Sequence, residues 1–327
     1  MASDEFTHPQ LAPLFTGAVA AHAIVVADDL GLFSALSKGP LRESSLNEQP
    51  WLHSRVRTRG VLHALHRAGL VQRRGSSFVL SELGSELQPH VPIFKLWFGG
   101  YASVLAQHVA GTPDSVTLAR GDVVAESSSR IGAQHLDETI LQIVEDLEPQ
   151  GAICDIGCGS ATRLLSMCKR TRQPGVGFDI SPAAVRTAQN TVRDARALDI
   201  DLHVMQGDAT ALRHPHPAVD IVTQAFMTHH IAPDDYCAAV LRSYRVTFPN
   251  ARYLVIFDTV MPPPSTEGPE LFGPGFDYVH ALQGMEPRSR EAVRGLVRDA
   301  GYRCVREVEL TIPHSYAWVM QPIRDRT

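Results

Sequence analysis

The stretch from Ala152 to Ser181 constrains the fold more than any other part of the chain. A short apolar run around Ile153 and Ile156 reads as a buried strand. It ends in Asp155-x-Gly157-x-Gly159 and passes into a helical run whose Leu164, Leu165, Met167 and Cys168 fall mostly on one side. A second apolar run, Val176 to Phe178, ends at Asp179. Strand, glycine turn, helix, strand and acid make a βαβ unit with a nucleotide-type site at the strand tips. Glycine lets the backbone turn sharply and lets a ligand approach it closely. Asp179 falls where a carboxylate accepts hydrogen bonds from a ribose diol. Thr162 follows Ala161 where a dinucleotide fingerprint would carry its third glycine, which favours a cofactor without a pyrophosphate.

The turn Asp155-Ile-Gly-Cys-Gly-Ser-Ala161 resembles the first motif of the S-adenosylmethionine (SAM) methyltransferases. The acid at the end of the next strand and Gly207-Asp208-Ala209 after the third extend the resemblance. It implies SAM as cofactor, with Asp155, Gly157, Gly159, Asp179, Asp208 and Ala209 as binding residues and adenine contacts at Asp208-Ala209.

With 327 residues the chain is long enough for two domains. The expected class is α/β: a Rossmann-like SAM methyltransferase domain, 113–327, behind an N-terminal helical domain, 1–112, whose helices and wing, traced next, resemble the winged-helix dimerisation domain of small-molecule O-methyltransferases. In the first part, Ala18 to Leu30 reads as a largely buried helix and Trp51 to Ala68 as a second. Leu70-Val71 and Phe78 to Leu80 flank the polar turn Arg73 to Ser76 and read as a two-stranded wing. Further helices connect to the second part, where strands and helices alternate. Ser181-Pro182 is a helix start. Strands are expected over Leu202 to Met205, Asp220 to Phe226 and Arg252 to Phe257, the last ending at Asp258. Arg288 to Ala300 reads as a helix, and Cys304 to Leu310 with Tyr316 to Met320 as a closing hairpin.

A net charge of -5, with charges mixed along the chain, supplies no basic field for nucleic acid. The segment Arg55, Arg57 and Arg59 does not place all three side chains on one narrow helical face, so a solvated or interfacial surface is expected there. No apolar run reads as a membrane span and no secretory signal pattern opens the chain. The five scattered cysteines read as reduced core thiols of a cytoplasmic protein.

Ligands in open α/β sheets bind beyond the carboxyl ends of the strands. His229 and His230 stand at the fourth of these, and a returning chain could bring His280 to His229. Two neutral imidazoles with open positions would suit iron or zinc. The segments Asp220 to Pro233, Thr247 to Asn250 and Gly275 to His280 resemble the 2-oxo acid C-methyltransferases of peptide antibiotic pathways, which act on phenylpyruvate or 4-methyl-2-oxovalerate.

That resemblance implies a non-haem iron or zinc ion on His229 and His280, Arg120 gripping the substrate carboxylate with Arg130 as the alternative, and Trp97 near the pocket. The phenylpyruvate enzyme has an acidic residue where this chain has His230, which either removes that acid's hydrogen bond around the metal or offers a third metal ligand or a base. The expected reaction is transfer of the SAM methyl to C3 of a chelated 2-oxo acid, giving a precursor of a β-methyl amino acid. The Met261 to Phe276 stretch is the expected lid, and a homodimer through the N-terminal domain is implied. Two other readings fit the same residues: a metal-free small-molecule O-methyltransferase with His229 as general base, and a SAM-responsive winged-helix regulator.

Overall fold

The computed structural model describes residues 8–47, 55–106, 119–262 and 270–323. The chain divides into two compact units, Met1–Ile131 and Gly132–Thr327.

The first unit holds helices α1 (Ala12–Asp29) and α2 (Leu32–Ser37), the short strand β1 (Leu41–Arg42) and helix α3 (Arg55–Arg67). The hairpin strands β2 (Val71–Arg74) and β3 (Ser77–Leu80) come next. Helices α4 (Glu82–Leu87), α5 (Val91–Lys95) and α6 (Ala102–Ala106) follow, and the division between units falls within α7 (Gly121–His135). The wing is three-stranded rather than two, in the order β1-β3-β2, because Leu41 pairs with Phe78 and extends the hairpin. The first residues of the helix expected from Trp51 lie outside the described residues. Ala23, Ile24 and Ala27 of α1 pack with Leu62 and Leu65 of α3 and with Phe78 in the core of this unit.

Among the described helices, α1 is long and apolar enough to cross a membrane by length and composition, which corrects the reading that no run is. Its buried face belongs to a protein core, while Leu14, Phe15, Val19 and Val26 are exposed.

In the second unit α8 (Asp137–Asp146) precedes β4 (Ala152–Ile156), α9 (Thr162–Thr171), β5 (Gly175–Asp179), α10 (Pro182–Ala197) and β6 (Leu202–Gln206). Then come β7 (Val219–Ala225), α11 (Asp234–Thr247), β8 (Tyr253–Thr259), α12 (Gly273–Leu282), α13 (Arg290–Asp299), β9 (Tyr302–Glu309) and β10 (Ser315–Pro322). The seven strands run in the order β6-β5-β4-β7-β8-β10-β9, parallel except for β10, which pairs antiparallel with both neighbours. Every residue of β4 is buried, as a central parallel strand covered on both faces requires.

The chain runs outward from β4 to β6 and returns to β7 on the other side. The topological switch point therefore lies between β4 and β7, and the crevice for a ligand opens there. Ser181 caps α10 by accepting from the Ala184 amide, with Pro182 at the first helical position. Ser289 caps α13 in the same way, and Gly301 ends it at φ +81°. Helix α12 was not expected: its opening Gly273-Pro274-Gly275 reads as loop, yet Phe276, Val279 and His280 follow at helical spacing and are buried. Residues 263–269 of the expected lid lie outside the described residues. Four of the cysteines are buried and Cys304 is exposed on β9, which corrects the expectation of an all-core set; all are free.

Candidate functional site

The glycine turn after β4 sits at the switch point. Gly157 adopts φ +75°, which favours glycine, and a Cβ there would lie 2.4 Å from Met227 Sδ and displace that side chain. Gly159, at φ +55°, donates its amide to Asp179 Oδ2 at 2.9 Å. Asp179 Oδ1 accepts the Ser181 amide at 2.9 Å, so the acid ties the turn to the start of α10. Asp155 lies inside the sheet and accepts from Thr223 Oγ1 at 2.7 Å; burial pushes its carboxyl up to about 6. Asp208 is exposed after β6, where its Oδ1 accepts from both the amide and the hydroxyl of Thr210. Ala209 packs against the core beside it. The six residues expected at the cofactor thus stand at or just beyond the carboxyl ends of β4, β5 and β6, with Asp155 beneath rather than on the surface.

His229, His230 and His280 converge. Each offers one ring nitrogen, and the three lie within 4.8 Å of one another. The ring centroids are 4.1 Å apart for His229–His230, 4.9 Å for His229–His280 and 5.6 Å for His230–His280. A single 3₁₀ turn, Thr228–His230, carries the first two beyond β7, and the third comes from α12. His229 and His280 are buried, whereas His230 is open to solvent. Burial, and then the charge of His229, push the His280 imidazole down to about 4, so it stays neutral near pH 7. The protein around His230, with His229 and His280 beside it, pushes that ring downward as well.

Two residues that sequence reasoning gave no role hold this cluster. Asp258, at the end of β8, accepts from His229 Nδ1 at 2.5 Å and from the His229 amide at 3.0 Å. A carboxylate only accepts, so the His229 Nδ1 carries a hydrogen, and Nε2 is the nitrogen that would ligate. The Phe276 carbonyl, one helical turn before His280, fixes the His280 Nδ1 hydrogen in the same way at 2.6 Å. Arg288 is buried just ahead of α13. It donates to the Thr228 carbonyl at 2.8 Å, to the Ile231 carbonyl at 2.6 Å and to Asp234 at 2.6 Å. Both ends of the turn bearing the two histidines are thereby braced. The acid closing β8 was visible in the sequence as a strand end, but nothing in the sequence tied Arg288 to the histidines.

Two imidazoles, each anchored through Nδ1, fit a borderline transition ion on their other ring nitrogen.

The remaining expected residues belong to the N-terminal unit. Arg120 is exposed and pairs with Asp122 at 3.0 Å. Arg130 donates to both carboxylate oxygens of Asp28, at 2.7 and 3.2 Å, and Lys95 reaches the same acid at 3.0 Å. Burial opposes the charge on Asp28, but these two cations hold its carboxyl below the usual range. Trp97 is buried against Tyr101, with centroids 5.7 Å apart.

A largely parallel sheet with this glycine turn at its switch point defines a Rossmann-like SAM-dependent methyltransferase. Residues 153–250 match the family model described as a methyltransferase domain. The mitomycin 7-O-methyltransferase MmcR has the same fold, with a TM-score of 0.70 at 18% identity over 96% of this chain and 97% of that one. An indolepyruvate C-methyltransferase from Streptomyces griseus is 58% identical over 100% of this chain and 98% of its own length. The chain belongs to the SAM-dependent 2-oxo acid C-methyltransferase family. A 2-ketoarginine methyltransferase from Streptomyces arginensis is 27% identical over 46% of this chain and 45% of its own length.

Proposed function

We propose that the protein transfers the SAM methyl group to C3 of a 2-oxo acid, at a site built on His229 and His280. The observation that carries this reading is the convergence of imidazoles from two distant segments beyond the carboxyl end of β7. The name of the 58% identical relative supports an aromatic 2-oxo acid such as indolepyruvate as the first substrate to try. His229 and His280 would hold an iron or zinc ion, which when bound supplies Lewis acidity toward the 2-oxo group and so acidifies the C3 proton.

The chain's own residues do the rest. Asp258 and the Phe276 carbonyl keep the two lone pairs directed into the cluster, and Arg288 holds the turn that carries His229. Gly157, Gly159 and Asp179 shape the turn that takes SAM, with Asp208 and Ala209 toward the adenine. Arg120 is assigned the substrate carboxylate. Once a hydroxide from solvent has taken the C3 proton and become water, the C3 electron pair attacks the methyl carbon in line, and the sulfonium leaves as a neutral thioether. Holding the two carbons together in a dry pocket is the main catalytic contribution of the protein. The product, a 3-methyl-2-oxo acid, suits transamination to a β-methyl amino acid for antibiotic biosynthesis. The exposed Leu14, Phe15, Val19 and Val26 on α1 support a homodimer through the N-terminal unit, and the free cysteines suit a reducing cytoplasm.

The test is incubation with SAM and a panel of 2-oxo acids, locating the methyl group by NMR, before and after exhaustive chelation. C3-methylation abolished by chelation and restored by iron or zinc is the expected result. A second reading is favoured by the His229–Asp258 pair, which is also the arrangement of a general base toward a hydroxyl. Methyl transfer to oxygen, undiminished by chelation, would establish that reading instead.

A further inference from the structure

Two of the three clustered imidazoles are anchored, His229 by Asp258 and His280 by the Phe276 carbonyl. The third is not: among the described residues, His230 makes no ring hydrogen bond, although its backbone amide is held by the Met227 carbonyl at 3.0 Å. Neighbouring side chains on a chain commonly diverge. Here the 3₁₀ turn directs both rings to one side, with centroids 4.1 Å apart. Arg288 keeps them there by bonding the carbonyls that frame the turn, Thr228 and Ile231. Lone pairs brought together in this way repel one another, and a shared cation removes the repulsion.

We propose that His230 is a third metal ligand, making the site a three-histidine centre rather than a two-histidine one. This rests on the metal reading above. Ligands on one tetrahedral ion at about 2.1 Å stand about 3.4 Å apart. The present separations of up to 4.8 Å must therefore shrink by about 1.4 Å or less. The unanchored ring of His230 can supply its own share of that movement without disturbing Asp258 or Phe276. Three imidazoles with an open position are a known ligand set for a catalytic zinc ion, and the same neutral donors suit ferrous iron.

The experiment is zinc binding to the metal-free full chain, measured by chelator competition, for the wild type, His230→Ala and His230→Asn. X-ray absorption at the zinc edge counts the imidazoles. His230 is on the surface, and unchanged melting of the metal-free variants confirms that they are folded. Both variants should bind zinc at least about 100-fold more weakly, beyond the 10- to 100-fold typical of losing an outer hydrogen-bond partner. The imidazole count should fall from three to two. Zinc affinity within threefold of wild type, with the same imidazole count, overturns the proposal and leaves the two-histidine reading standing. A wild-type protein that binds neither zinc nor ferrous iron overturns both.

Discussion

Replacing Asp258 with Asn isolates the orienting bond from the shape of the site. Asp258 is buried, and its two oxygens accept three hydrogens: Oδ1 takes His229 Nδ1–H and the Thr259 amide, and Oδ2 takes the His229 amide. An amide has one oxygen for these three donors. If its NH₂ replaces Oδ2, the His229 amide loses its acceptor while Nδ1–H keeps a weaker, neutral one. If NH₂ replaces Oδ1, the Thr259 amide is orphaned, and His229 must move its hydrogen to Nε2 to accept at Nδ1. That shift occupies the lone pair directed into the cluster.

Either arrangement leaves one buried backbone N–H unpaired, at a cost of about 1–3 kcal/mol. Loss of the orienting carboxylate weakens metal binding about 10- to 100-fold, or about 1.4–2.8 kcal/mol. Urea unfolding of the metal-free protein and zinc competition measure the two terms separately. Asp258→Asn with wild-type zinc affinity would refute the argument that this carboxylate sets the tautomer of a metal ligand, whatever the change in stability.

Three further outcomes are expected. Arg288→Gln leaves the Thr228 and Ile231 carbonyls without their donor and should cost about 1–3 kcal/mol for each carbonyl left unpaired, with zinc affinity falling alongside and Arg288→Lys recovering part of both; unchanged zinc affinity in the folded variant would reduce Arg288 to a purely structural residue. Because the His280 pKa is held near 4 in the folded metal-free protein against 6.5 when exposed, the unfolded chain takes up the proton first. Stability should therefore fall by about 3 kcal/mol as pH drops from 6.5 to 4, and His280→Gln should remove that part of the slope; identical slopes would contradict it. Arg120→Ala should raise the KM for the 2-oxo acid about 10- to 100-fold, with kcat changed far less; an unaltered KM would free Arg120 from the carboxylate role.

Some of this architecture is local and some is not. The glycine turn, Ser181-Pro182 and the Asp220 to Phe226 strand are dictated by neighbours in sequence, through backbone freedom, capping and apolar runs. They appear where expected. Helix α12 was hidden because Gly273-Pro274-Gly275 obeys loop chemistry locally, while burial of Phe276, Val279 and His280 against the rest of the unit makes the segment helical. Strand β1, only two residues long, exists because β3 offers it a partner.

The sequence by itself determined the cofactor-type turn, the alternating sheet and the presence of histidines beyond β7. Tertiary structure alone decided which groups meet them. Asp258 is 29 residues from His229, and Arg288 is 60 from Thr228. A hydrogen bond acts over about 3 Å of space and is indifferent to chain separation. Only the stacking of β7 beside β8, and the return of the chain before α13, could bring a carboxylate and a guanidinium to that turn.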